Sequence, residues 1–518
     1  MITLNFSDPL LIPIYICSKH LFSKPKLDVI STIHFIFFAL DSLIYLHKKN
    51  PDRTHMTDAP VHQKLQPEFL PLVFLVSIGF FMQGLDTTII NTALPAMAKE
   101  LNEDPLRMHG LIIGYVLSVA ACIPLSGWFA DRFGIRNTFF AAIVIFTFAS
   151  LGCAMSYSFD ALIFFRVIQG IGGALLMPVG RLAMLRLIPR EQFLSAISLM
   201  SLAGLLGPLV GPILGGWLVE YMSWHWIFLI NLPMGLLGMF MAFKVMPNRT
   251  ESSVKKFDLS GFILLVIAMS GMALGIENMA SHDVSLTLSI GLFIGGFVAA
   301  LLYAWHAHHN TNALFQSKLF KNKIYAIGIL GNFFARFGGN SIPFILPLML
   351  QVAFHMEPLM TGIMMTPVVL GSLFSKPIIR PIIQRVGYRR FLLINTVLVG
   401  ICIASFALTT ADTPFWLRAV HFFIFGVFNS LQFVTMNTLT LKDLPQQDAS
   451  SGNSFLSMIM MLSMSIGIAL AGTLLNVFTA YFGQAQLTHA FHATLIILGA
   501  INIITAFIFY QIPKNQQI

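Results

Sequence analysis

Runs of about twenty apolar residues, separated by short polar or Pro/Gly-rich turns, recur fourteen times along this chain, and nothing else in it constrains the fold as strongly. A run of that length spans ~30 Å of hydrocarbon as an α-helix, a form that satisfies its own backbone there. The runs fall at 69–95, 109–129, 138–157, 160–184, 193–218, 225–246, 259–278, 284–305, 324–351, 358–379, 391–410, 414–438, 453–478 and 488–512. With 56% hydrophobic and 10% charged residues, a soluble multidomain protein is excluded. The expected fold class is an all-α membrane protein with 14 transmembrane helices in the lipid bilayer.

Orientation can be read from Lys and Arg, which favour cytoplasmic loops. The loops after even-numbered runs hold eighteen of them, including Arg132 and Arg136, Arg181, Arg186 and Arg190, and Arg249, Lys255 and Lys256. The opposite loops hold Lys99 and Arg107, with Arg418 at a run's edge. Both ends of the fourteen-run core are therefore expected in the cytoplasm. The net charge of +9 reports this orientation and no nucleic-acid partner, since it forms no basic face and accompanies no recognition motif. Residues 1–55 fit poorly: "VISTIHFIFFAL" (29–40) is too short for a span, and a fifteenth span would break the parity. The expectation is an extension upstream of a natural start at Met56. The alternatives are an interfacial segment, or a secretory signal behind Lys19, Lys24 and Lys26 that lacks a small-x-small cleavage site.

Among the ionisable residues within the runs or close to their ends are Asp86, Arg166, Glu277 and Arg336. Each costs insertion energy, at least ~2.5 kcal/mol for a charge at the helix centre, and such residues mark substrate or proton paths more often than not. On the first run Gln83, Asp86 and Ile90 share one helical face. A carboxylate there can alternate between holding a proton and attracting a cation. On the fourth, Arg166, Gln169, Gly170 and Gly173 line one face, placing a permanent cation beside residues without bulk. The fifth carries "GLLGPLVGPILGG", in which Gly207, Gly211 and Gly215 form a stripe for close packing, with Pro208, Pro212 and Gly216 one residue behind. The prolines remove backbone hydrogen bonds, so a helix that bends or rocks is expected.

The loop "GWFADRFGIRN" (127–137) has an Asp131–Arg132 pair between Gly127 and Gly134, followed by Arg136, and reads as a breakable latch at the cytoplasmic mouth. The related stretch 371–390 keeps the basic residues and glycines without the Asp, a weak sign of an internal repeat. The ninth run, "IGILGNFFARFGGNSIPFILP", has Gly331, Ala335 and Gly339 at spacing four, and reads as a broken helix of the kind that lines transporter cavities. Ser463, Gly467 and Ala471 repeat the small stripe on the thirteenth.

Cys17, Cys122, Cys153 and Cys402 are too scattered for a disulfide framework or a metal site. "WHAHHNTN" (305–312) has three histidines but no second ligand cluster, so neither metal nor other cofactor is expected. No G-x-x-x-x-G-K-[ST] loop is present, so an ion gradient is expected to drive the cycle. A sensor would need a larger soluble output domain, and a channel would not need the Pro/Gly rows.

These residues resemble the major facilitator superfamily, and within it the fourteen-span drug:proton antiporters of the EmrB/QacA type. "LDTTIINTALP" (85–95), "GWFADRFGIRN" (127–137), "RVIQGIGG" (166–173) and "GPILGG" (211–216) look like that family's motifs in runs 1, 2–3, 4 and 5. The resemblance implies two six-helix halves, 56–250 and 311–518, with two inserted helices at 251–310, in the bacterial inner membrane. It implies a proton-coupled exporter of small molecules, not an enzyme, that works by alternating access. Asp86 and Arg166 would be the substrate and proton-coupling positions, with Gln83, Gln169, Glu277 and Arg336 beside them. Asp131 and Arg132 would brace the cytoplasmic gate, and Gly211, Pro212, Gly215 and Gly216 would form the antiporter helix. A periplasmic adaptor is neither implied nor excluded. Two departures stand out. His225 replaces the family's usual Arg in "WRWIF", and Arg336 balances the interior at two acids and two arginines, which makes an anionic metabolite or metal chelate, such as a polycarboxylate, a rival to drugs as cargo.

Overall fold

The computed structural model describes residues 65–247, 256–280, 284–310 and 312–513. The expectations for residues 1–55, and for Arg249 and Lys255, fall outside them. Among the described residues all regular structure is helical. Fourteen helices are long and apolar enough to cross a membrane: α1 Pro67–Thr92, α2 Pro105–Cys122, α3 Ile135–Ala154, α4 Phe159–Leu187, α5 Ser195–Tyr221, α6 Trp226–Val245, α7 Leu259–Glu277, α8 Leu286–His309, α9 Lys323–Ala353, α10 Pro358–Ile379, α11 Tyr388–Leu408, α12 Phe415–Lys442, α13 Ser451–Phe482 and α14 Gln484–Phe509. The expected number is met, with one shift at α2. The run 109–129 was read through Pro124, which has no N–H to continue a helix. The helix instead ends at Cys122, and a short helix restarts at Leu125–Phe133.

The first six and last six spans form two bundles, and α7 and α8 pair at their side. In α7 and α8 the partners meet through glycine: Gly271 faces Gly296, and a Cβ on either would strike backbone of the other helix. Of this pair, α7 packs inward against α2 and α13. On α8, Leu288, Ile294, Phe297 and Leu301 are exposed, and 22% of its most apolar stretch is buried against 78% for α9. The apolar surface of α8 therefore suits lipid, while α9 is a central helix.

Asp258 fixes the start of this pair. It caps α7 by accepting from the Gly261 N–H at 3.0 Å, and it also accepts from His306 Nε2 of α8 at 2.8 Å and from the Leu314 N–H at 3.3 Å. One carboxylate thus joins both inserted helices to the connection entering α9. It also gives His306 of the histidine cluster a partner. Burial alone would raise the Asp258 carboxyl, but the bonds from Gly261, His306 and Leu314 bring it below its ordinary 3.8. Because the folded value lies below the unfolded one, this stabilisation is complete above the ordinary carboxylate range and is lost as pH falls through the folded value. Asp258→Ala should therefore cost about 1–3 kcal/mol near neutral pH, where a cap and bonds to a charge are removed. Thermal unfolding in detergent checks this. The gap to wild type should close as pH drops below 3.8, and a constant gap down to that pH would contradict the assignment.

Helix α5 lies between α1 and α10, for reasons written in its glycines. A Cβ on Gly207 or Gly215 would meet α1 backbone at Leu85 or Ile89, and one on Gly211 would meet Thr88. On its other side, Gly216 abuts Pro358 of α10, and Pro212 carries a carbonyl that abuts Gly362 of α10. Pro208 cannot donate to the Gly204 carbonyl, and that oxygen lies against Gly84 of α1. The helix remains continuous through both prolines, and Pro208 leaves the Gly204 carbonyl free for close helix contact.

Hydrogen bonds joining the first six spans to the last six are found at the end opposite the basic loops. Gln351 Nε2 donates to the Thr92 carbonyl at 3.0 Å, and the Leu359 N–H donates to Glu220 at 3.1 Å.

Candidate functional site

Asp86 sits in the last turns of α1, 1% exposed, in an otherwise apolar helix. Its Oδ2 accepts from Arg166 Nη1 at 2.7 Å and its Oδ1 from Gln169 Nε2 at 2.8 Å. Arg166 and Gln169 are one turn apart on α4, so helical spacing presents both to the same carboxylate. Arg166 Nη1 also donates to Gln169 Oε1 at 2.6 Å, and its Nε donates to the Leu111 carbonyl of α2 at 3.3 Å. Gln169 passes the network to Ser150 of α3, which accepts from Asn231 of α6 at 3.4 Å. The guanidinium lies over the Tyr115 ring at 4.3 Å. Gly170 and Gly173 make room for this, since a Cβ on Gly170 would strike the Tyr115 carbonyl and one on Gly173 its hydroxyl.

Five helices therefore converge on one fully buried ion pair. Removing two charges from water is expensive and is offset only when geometry and further hydrogen bonds are good, and here both carboxylate oxygens are engaged. The sequence reading has proton and substrate competing for Asp86. In this structure the cation at Asp86 is Arg166. Gln83, one turn earlier on α1, is buried with its Oε1 lacking a partner among the described residues.

Arg336 belongs to a second polar group. α9 is broken at Ala335–Arg336, between helical segments Lys323–Phe334 and Phe337–Leu348, as the Gly-rich sequence suggests. The small stripe of α13 seats this break: Ser463 donates to the Phe333 carbonyl at 2.6 Å, and Gly467 accepts from Ser341 at 2.8 Å. At the break Arg336 is 6% exposed. Its Nε donates to Asn332 at 2.9 Å, its Nη2 donates to Asn437 at 3.1 Å, and its guanidinium lies 4.1 Å over the Phe433 ring. Its hydrogen bonds go to amides, whereas those of Arg166 reach a carboxylate. Glu277 lies apart from both groups, at the end of α7 facing His109 of α2.

At the basic end Asp131 pairs with Arg186 of α4 at 2.8 Å, while its sequence neighbour Arg132 is not its partner. Adjacent helical side chains point apart, while α4 runs alongside. Gly134 has φ +85°, a conformation that favours glycine, at the turn into α3, and Arg136 lies over the Phe243 ring at 5.7 Å. Gly127 faces open space. His225 stands 3.8 Å from Glu100, which also accepts from Trp224 Nε1 at 2.8 Å. Sequence reasoning missed Tyr115, Ser150, Asn231, Asn332 and Asn437. The signal was present, since each is a polar group inside an apolar run, but neutral residues of this kind are common enough in membrane helices to pass unnoticed.

A sequence model of the family described as "Major Facilitator Superfamily" matches residues 76–309 and 328–517. Proteins named "Putative multidrug resistance protein MdtD" from Salmonella newport (strain SL254) and Salmonella typhi are each 46% identical over 471 residues, covering 89% of this chain and 97% of the relative. Among solved structures, the POT family transporter PepTSo aligns with TM-score 0.64 at 14% identity over 86% of this chain and 98% of that one. A D-xylose-proton symporter aligns with TM-score 0.61 at 15% identity over 86% and 98%. At such identities the structural likeness concerns the fold alone.

Proposed function

The chain belongs to the major facilitator superfamily of membrane transporters, and on that premise we propose that it is a proton-coupled exporter of small molecules, working by alternating access in the bacterial inner membrane with its basic loops in the cytoplasm. The observation that carries this reading is the buried Asp86–Arg166 pair. A proton arriving at Asp86 neutralises the carboxylate and frees Arg166 from its strongest partner, so protonation changes the hydrogen bonding of α1, α2, α3 and α4 together. Loss of the proton restores the pair. Hydrogen bonds hold the first six and last six spans together at the end opposite the basic loops, and α5, packed by glycine against both α1 and α10, provides surfaces that can slide as the halves rock.

For cargo, the name of the MdtD relatives favours drugs. The amide-bound guanidinium of Arg336 favours a second reading, an anionic cargo such as a polycarboxylate or its metal chelate, since a carboxylate could complete the bidentate site that Asn332 and Asn437 begin. Proton release from purified protein in liposomes, titrated with lipophilic cations and with small polycarboxylates, separates the two. If Arg336 binds anionic cargo, only polycarboxylates evoke release, and Arg336→Ala lowers that response at least about tenfold, in keeping with a lost charged bond. A response to cations that survives Arg336→Ala would assign the protein to drug export. No response to either class, with activity toward neither, would count against proton-coupled export itself.

A further inference from the structure

His109 lies in the first turns of α2, at the end opposite the basic loops, and is 4% exposed. Its Nδ1 lies 2.6 Å from the Leu106 carbonyl, which can only accept, so Nδ1 carries the hydrogen. In the neutral ring Nε2 is then a bare acceptor. It has no hydrogen-bond partner among the described residues, and the group it faces is another acceptor, Glu277 Oε1 at 3.9 Å. A buried ring nitrogen and a carboxylate that is 19% exposed thus face each other as two acceptors, short of one proton.

The surroundings make this pair a junction between the bundles. The ring of His109 lies against Gly472 of α13, where any Cβ would strike it, and 5.9 Å from the Phe344 ring of α9. Thr473, next along α13, donates to the Ile276 carbonyl at 2.9 Å, one residue before Glu277. The end of α7 is therefore fastened to the last six spans by a hydrogen bond and faces the first six through His109. Other charges near the pair are engaged elsewhere. Arg107 pairs with Glu103 at 3.2 Å, and Asp104 accepts from the Leu106 N–H. The facing residues of α4 are Phe159 and Ile163, those of α13 are Gly472 and Thr473, and α9 presents Phe344.

We propose that His109 and Glu277 form a second proton-binding site, distinct from Asp86, which clamps the outer ends of the two bundles together when it holds one proton. The proton sits between Nε2 and the carboxylate, as imidazolium against carboxylate or neutral ring against acid. When it leaves to the outer solvent, a lone pair faces a carboxylate across the junction and the contact becomes repulsive. A proton taken from outside thus favours outer closure. Resting on the exporter reading, this is the direction that returns such a transporter to the cytoplasm. The site also adjoins the Asp86 network, since Leu111, two residues beyond His109, accepts from Arg166.

The test is a titration of the full chain in nanodiscs, with ¹⁵N-labelled histidine, over about pH 5 to 8, the range in which histidine changes charge. The His109 signal is identified as the one missing from His109→Gln. In wild type it should titrate at Nε2 while Nδ1 stays protonated. In Glu277→Gln its midpoint should fall by at least roughly one pH unit, the shift typical of losing a neighbouring carboxylate. It should persist in Asp86→Asn, so this result stands whether or not export proves to be proton-driven. An identical midpoint in wild type and Glu277→Gln, or no change across the range, overturns the site. Spin labels at positions 92 and 351 in a cysteine-free background report the clamp: their separation should grow from low to high pH in wild type and stay constant in Glu277→Gln. Equal behaviour of the two would overturn the clamping role.

Discussion

On the exporter reading, Asp86→Asn should abolish export driven by a pH gradient, lowering it at least about a hundredfold, while the protein still folds, because an amide keeps one of the two acceptors of the network but cannot bind and release a proton. Asn at 86 retains an acceptor for Arg166 or Gln169, so the shape of the site survives. What disappears is the change of charge that makes Arg166 alternate between an ionic partner and none. Cargo binding should survive in the variant, and counterflow of labelled against unlabelled cargo should continue if proton transfer alone is lost. The measurement is uptake into inverted vesicles with an imposed gradient, beside size-exclusion chromatography to establish folding. Undiminished gradient-driven export in a monodisperse Asp86→Asn protein would remove Asp86 from the coupling mechanism.

The largest effect on stability is expected from the partner. Arg166→Leu leaves a carboxylate with 1% exposure facing Gln169 and no cation, and removing one member of a buried pair typically costs about 3–5 kcal/mol. The double variant Asp86→Asn with Arg166→Leu removes both charges and should recover a large part of that loss, since well-packed neutral replacements of buried pairs are often close to neutral. Denaturant unfolding of the two single variants and the double one measures the coupling. Additive losses would mean that the pair contributes no interaction energy, and that its retention rests on transport alone.

How much of this could be read from the sequence depended on whether the cause was local. Fourteen spans and the break in α9 were legible, because apolar length and Gly/Pro spacing are properties of a single helix. The charged residues Asp86 and Arg166 stood out for the same reason, each set in the middle of an apolar stretch. Their pairing did not, because eighty residues separate them and only the packing of α1 on α4 joins them. The partner of Asp131 was not legible either: several arginines lie near it in sequence, and the packing of α4 supplies Arg186. His109 was passed over because it sits at the edge of a run, where a polar side chain ordinarily needs no explanation. Its burial comes from Gly472, more than three hundred residues away.

The pair α7 and α8 has a mechanical consequence. In a transporter whose two halves are joined by an aqueous loop, the joint is indifferent to the membrane around it. Here the chain passes from the first bundle to the last through two helices, one of which shows its flank to hydrocarbon along its length and the other of which is fastened to α13 near Thr473. Any swing of one bundle against the other must carry this hairpin through the surrounding acyl chains, so the lipid acts as a viscous load on the hinge. Turnover should then slow in thicker or more ordered bilayers, with cargo affinity left alone.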